Sequence, residues 1–186
     1  TSGRVQVNKN QQFAISGISA GLAKRVQWPD DFFTISHAAS YQLYDFQNYR
    51  TGLFNFGNGQ SNSLAYTIGL SRSSAGPGRI FPLTGSIFEV SGKFTPPYSI
   101  FNDIDHAGLK AESEELNQLR ADRALIGQSL TEAEQMRLEE VDQERFRWLE
   151  YYKIKFKGDW YTRLVDKLVL RTNLEFGFLG SYNQDV

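Results

Sequence analysis

The chain has 186 residues, carries 20 Lys+Arg against 21 Asp+Glu for a formal net charge of −1, and contains no cysteine. That is about one domain of sequence, and its balanced charge gives no electrostatic reason to expect a nucleic-acid partner. Without cysteine there is neither a disulfide framework nor a thiolate metal site, and no run of about 18 apolar residues offers a membrane-spanning helix, a test that alternating strands escape.

The opening stretch TSGRVQVNKN lacks the apolar core of a signal peptide and is read as no element at all. Beyond it, apolar residues recur at every second position, the period of a strand. A first strand over about 12–26 changes phase between Ile15 and Ile18, which predicts a bulge at Gly17. FFTISHAASYQLYDF places Phe33, Ile35, Ala39, Tyr41 and Leu43 on one side, with His37 unexplained among them. NSLAYTIGLSRS sets Leu64, Tyr66, Ile68 and Leu70 against small polar residues. In SIFEVSGKF, Phe88, Val90 and Phe94 oppose Glu89 and Lys93. Two further strands set Ile154, Phe156, Leu170 and Leu174 against Lys153, Lys155, Lys157, Arg171 and Glu175. Six strands result, and the short connections are expected at one end of the sheet and the long ones, 47–61 and 97–147, at the other.

The second long connection is a different material. Residues 103–150 hold 13 acids and 6 bases, a local net of −7, against +6 for the remainder. Leu109, Leu116, Leu119 and Ile126 keep helical spacing up to a stop at Gly127. Thr131 and Glu134 form a capping box for a second helix, striped by Leu138, Val141, Arg145 and Trp148. This is an acidic helical hairpin with one narrow apolar seam per helix, expected either to lie across the sheet's mouth as a lid or to dock a partner through Leu109, Leu116, Leu119, Leu138, Val141 and Trp148.

A soluble β-sandwich also alternates. Against it stand strands of 11 residues or more, where soluble strands centre on about five or six. Aromatics also gather near strand ends, at Trp28, Phe32, Phe33, Tyr44, Phe46, Tyr49, Phe81, Tyr151, Tyr152, Trp160 and Tyr161, as in interfacial girdles. The fold expected is all-β, part of a transmembrane antiparallel up-and-down barrel of about six strands with an extracellular helical hairpin insertion. Its lipid-facing set is Leu64, Tyr66, Ile68, Leu70, Phe88, Val90, Phe94, Ile154, Phe156, Leu170 and Leu174. Glu89, Lys93, Lys153, Lys155, Lys157, Arg171 and Glu175 face the lumen.

Catalytic signals are poor, and no enzyme, cofactor or metal is expected. His37 and its neighbour Ser36 face opposite sides of a strand. His106, near Asp103 and Asp105, reads as a solvated helix start. Glu114–Glu115 and Glu139–Glu140 are exposed helix faces, and FGNGQSN lacks the ending of a phosphate loop. The ladder Lys153, Lys155, Lys157 suits an anion and suits a polar wall equally well.

NSLAYTIGLSRSSAGPGRIFPLTGSIFEVSGKF resembles the middle of the barrel in the BamA family of outer-membrane protein assembly factors. There a strand runs into a periplasmic turn containing arginine and an aromatic-Pro-x-x-Gly segment, matched here by Arg79, Phe81, Pro82 and Gly85. YYKIKFKGDWYTRLVDKLVLRTNLEFGFLGSYN resembles the following hairpin and RVQWPDDFFTISHAASYQLY the preceding one; the 103–147 insertion departs from the pattern. The resemblance implies that 1–186 is a central barrel fragment of a machine that folds and inserts β-barrel proteins. Its partners would be the bilayer of the bacterial outer membrane, other subunits of the assembly complex and nascent barrels. The family's POTRA domains, lateral-gate strands and R-G-F loop motif have no counterpart in these residues. The alternatives are an outer-membrane channel and, from another class, a soluble β-sandwich binding module.

Overall fold

The structure, a computed structural model, describes residues 1–9, 13–27, 29–47, 58–75, 82–102, 104–166, 168–183 and 185. Seven strands form one sheet in chain order, every neighbour antiparallel: β1 (Ser2–Lys9), β2 (Phe13–Val26), β3 (Phe33–Phe46), β4 (Gly59–Ser73), β5 (Gly85–Phe94), β6 (Tyr152–Val165) and β7 (Leu168–Gly180). The order is linear, with β1 and β7 as its two edges.

One strand more is present than alternation predicts. Only Val5 and Val7 mark β1 as apolar, and both stay exposed, so its place is fixed by backbone pairing along β2 from Ser2↔Gly21 to Lys9↔Ala14. The expected bulge at Gly17 does not occur. β2 pairs without interruption on both sides, which puts Ile15 opposite Tyr44 on one face and Ile18 opposite Tyr41 on the other. Gly17 serves proximity instead, because a Cβ there would lie 3.0 Å from the Tyr41 carbonyl oxygen and 3.1 Å from Gln42 Cγ. The register shift falls between Arg163 and Val165, beside the β6–β7 turn.

The strand ends that join β2 to β3, β4 to β5 and β6 to β7 fall at one end of the sheet, and those that join β3 to β4 and β5 to β6 at the other. The end of β1 and the start of β2, at Lys9 and Phe13, fall at the end of the long connections, so the two ends are less cleanly sorted than expected. Gly85 sits at φ 103°, a left-handed backbone that glycine alone adopts cheaply, and closes the β4–β5 turn. Pro82 precedes it; Arg79 and Phe81 lie outside the described residues.

Three helices fill the longest connection: α1 (Tyr98–Phe101), α2 (His106–Leu125) and α3 (Glu132–Arg145). Gly127 at φ 72° ends the α2 turn, and Thr131 with Glu134 makes the capping box at α3. Ile126 lies past the helix as its C-cap and is 68 % exposed, outside the seam. Leu138 and Val141 are buried where α3 meets α2. Ser113 donates to Asp142 across the hairpin at 2.8 Å, while burial still holds that carboxyl above its ordinary range.

Candidate functional site

The pairing sorts side chains onto two faces. Rows such as Leu70–Val90–Phe156–Phe176 and Ile68–Gly92–Ile154–Phe178 run across four strands on one face. All eleven residues of the expected lipid-facing set fall on this apolar face, joined by Ile18, Leu22, Phe176 and Phe178, each at least 55 % exposed. Glu89, Lys93, Lys153, Lys155, Lys157, Arg171 and Glu175 all fall on the other, polar face.

On β4 the apolar run is bracketed by polar side chains. At one end Asn62 accepts from the Tyr41 hydroxyl at 2.6 Å. At the other, Arg72 gives Asp30 bonds of 3.0 and 2.7 Å, donates to Ser74 and Ser86, and stands over the rings of Phe32 and Phe33. Between those brackets the strand climbs about 33 Å, and a tilt near 40° turns that into about 25 Å of vertical height. That is the height of the apolar band of a membrane barrel.

Aromatic placement is less uniform than the girdle expectation. Phe33, Tyr152 and Trp160 lie on the apolar face, whereas Tyr44, Phe46 and Tyr161 follow the register of the polar one. Trp28, Tyr49 and Phe81 lie outside the described residues. Aromatic side chains fill the space that a Cβ would take at three glycines of the apolar face: Phe94 at Gly92, Trp160 at Gly158 and Tyr152 at Gly180. His37 gains its explanation here, because its Nδ1 is 2.5 Å from the Tyr66 hydroxyl, so two polar groups on an apolar face satisfy each other.

The helical arm is bonded to the sheet. β5 pairs with β4 only as far as Tyr66↔Phe94, leaving the first residues of β4 without that neighbour. The limb after α3 takes its place: Asn62 N–H donates to the Arg147 carbonyl and Leu149 N–H to the Asn62 carbonyl, both at 2.8 Å. The Gln143 side-chain amide acts like one more peptide unit, accepting from Gln60 N–H and donating to Gln60 C=O at 2.6 Å each. Below, Glu150 is buried and accepts from the Ser99 N–H and hydroxyl, and Tyr151 N–H donates to the Thr95 hydroxyl.

Of the residues expected to dock a partner, Leu138 and Val141 are buried and Leu109, Leu116, Leu119 and Trp148 half-buried. Among the described residues the large apolar side chains that the arm leaves exposed are Ile100 and Phe101 on α1 and Leu125, Ile126 and Met136 toward its tip. His106 is buried and hydrogen-bonds Asn102, and Asp105 caps α2 by accepting from Gly108 N–H. Asp103 lies outside the described residues, among which no group of acidic and histidine side chains is arranged for a metal.

Two of the sheet's arginine–aspartate pairs are set apart by their surroundings. Arg171 bonds Asp159 at 2.9 Å on the polar face. Arg72, by hydrogen bonding, holds the Asp30 carboxyl below its ordinary value. A carboxylate lowered on folding stabilises the folded form above its unfolded pKa and loses that contribution as pH falls through the folded one. Limited proteolysis next to Asp30 is therefore expected to accelerate below about pH 4, and Asp30→Asn should already be cleaved faster than the parent at neutral pH.

No family model and no curated protein matches the sequence. Among solved structures the chain is similar to BamA from Haemophilus ducreyi lacking POTRA domains 1–3, with a TM-score of 0.55 and 15% identity. The similarity covers 96% of this chain and 28% of that one, so the chain spans little more than a quarter of that structure. At this identity what is shared is the fold, an antiparallel up-and-down sheet of the kind that walls a BamA barrel.

Proposed function

We propose that this chain is a stretch of the wall of an outer-membrane β-barrel, and that the barrel is a BamA-like insertase that folds and inserts other barrels. The observation that carries the membrane reading is the apolar face, a wide continuous surface of exposed Leu, Ile, Val and Phe bracketed by polar rims at bilayer spacing. A β-sandwich would need a second sheet over that face, and among the described residues all strands belong to one sheet. In hydrocarbon each unpaired backbone group costs several kcal/mol, so the outer edges of β1 and β7 call for further strands. The insertase reading rests on the likeness of fold together with the order of the motifs, and it brings nascent barrels and companion subunits as partners. For the arm we propose the self-covered lid, since its seam is filled by its own two helices and its limb is bonded over the mouth of the sheet.

The chain has no cysteine, which allows single ones to be placed cleanly. In the full protein, freed of any other cysteine, Lys155→Cys is expected to react with a water-soluble maleimide while Ile68→Cys is protected until detergent is added. Equal labelling of both overturns the membrane reading. Photo-crosslinking in the reconstituted machine separates the functions: capture of nascent barrel chains supports the insertase, and ion conductance with no capture means a channel.

A further inference from the structure

The polar wall neutralises its charges in its lower part and leaves them uncompensated in its upper part. Lys157 stands directly between Glu89 on β5 and Glu175 on β7, and Asp159 is bonded by Arg171. One step toward the arm, Lys155 faces Ser91 and Gly177. One step further, Lys153 faces Lys93 on one side and Leu179 on the other. Like charges directly opposed across strands are unfavourable, and the sheet solves that problem two rungs away with glutamates. Neither Lys93, Lys153 nor Lys155 forms an ion pair among the described residues, and Glu150, the nearest carboxylate of the limb, is spent on Ser99. Lys93 Nζ lies 5.5 Å from the centre of the Tyr151 ring.

These lysines line a groove of about 660 Å³ under the returning limb, whose other walls include Phe146, Leu149 and Leu179. Glu150 also lines it, its carboxylate accepting from the Ser99 N–H and hydroxyl, so three ammonium groups stand against one carboxylate and the remaining wall is largely apolar. We infer that this groove binds an acidic polypeptide segment in extended form. Lys153 and Lys155 are two residues apart on one strand, about 6.6–7 Å, and an extended chain repeats its side chains on one face at that same interval. Carboxylates at alternate positions thus meet successive ammonium groups, and the apolar residues between them meet Phe146 and Leu149. A lipid phosphate is a poorer match, because the groove opens on the polar face and the whole thickness of the sheet separates it from the face that would meet acyl chains.

The inference rests on the polar face being wet, and so on the barrel reading. Its test uses the full protein in detergent and a fluorescein-labelled peptide alternating Glu with Phe, followed by anisotropy at low and high salt. The peptide is expected to bind, more weakly as salt rises, with Lys93→Gln and Lys153→Gln each weakening it about 2- to 5-fold. Lys157→Gln, already held between two glutamates, should leave affinity unchanged and serves as the control for general charge. No binding, or equal loss in Lys157→Gln, overturns the site; pyrophosphate displacing the peptide at equal or lower concentration means a compact-anion site and overturns the extended-peptide assignment. Heat-modified mobility on gels checks that each variant barrel is folded. The labelling of Lys155→Cys separates the two failures, since a protected cysteine sinks the barrel reading whereas a reactive one with no peptide binding sinks only the site.

Discussion

Val90→Arg is expected to destabilise the folded protein by about 1–3 kcal/mol in a refolding titration from denaturant into lipid, the cost of a cation within the apolar band, which falls from about 2–4 kcal/mol at the bilayer midplane toward either rim. Val90 suits the test because its row is apolar across four strands. It pairs with Leu70 on one side and Phe156 on the other, and Phe176 extends the same row. Along β6 its row lies between Tyr152 and Trp160, the aromatic pair that brackets the band. The charged group nearest this row on the same face is Arg72, and the carboxylate beside it, Asp30, is already bonded to Arg72, so among the described residues an arginine here meets a like charge before a free partner. Lys155→Ala on the opposite face, flanked by Ser91 and Gly177, should change stability by no more than about 0.5 kcal/mol. Equal costs for the two would reverse or abolish the facing derived from the register.

Gly85→Ala is expected to cost on the order of 3 kcal/mol, for two reasons that act at one atom. The backbone is at φ 103°, where a side chain is strained whatever the space. The added Cβ would also lie 2.3 Å from the Ser74 carbonyl oxygen and 2.9 Å from Ala75 Cα, and backbone cannot step aside as a flexible side chain can. The Ser74 N–H to Ser86 carbonyl bond of 2.8 Å holds the two flanks of this turn together beside Gly85. Gly3→Ala is the matched control, since nothing lies within 4 Å of the position its methyl group would take and the change should stay within about 0.5 kcal/mol. If both substitutions are equally mild in the same titration, the turn geometry described above is wrong.

What alternation can reveal, it reveals: the phase of β3 to β7 and the division into two faces follow from apolar residues at every second position, and so does the hairpin from its capping box and Gly127. The failures have a common physical origin. β1 carries two valines and is otherwise polar, so it is a strand because β2 offers it a free edge, which is a property of the pair and absent from either segment alone. Ile15 and Ile18 imply a change of phase only if apolar residues must share a face, whereas Ile15 stands beside Tyr44 on the polar one. The joint between Gln143 and Gln60 spans 83 residues of chain, and no local pattern marks it. The same holds for the contrast along the lysine ladder. The sequence places three lysines at one interval, and only the register shows which of them faces glutamates and which faces another lysine.

That joint has a mechanical consequence. Through Gln143, Arg147 and Leu149 the arm is hydrogen-bonded to β4, while its two ends are continuous with β5 and β6. A helical lever twenty residues long in its first limb is thereby riveted across the step where a fifteen-residue strand outruns its ten-residue neighbour. Prying β4 and β5 apart from that end cannot begin at their own first shared rung; it must first tear out the rivets or swing the lever. Any load applied to the arm from outside is accordingly felt as torque on the wall, and any breathing of the wall is magnified at the arm's tip.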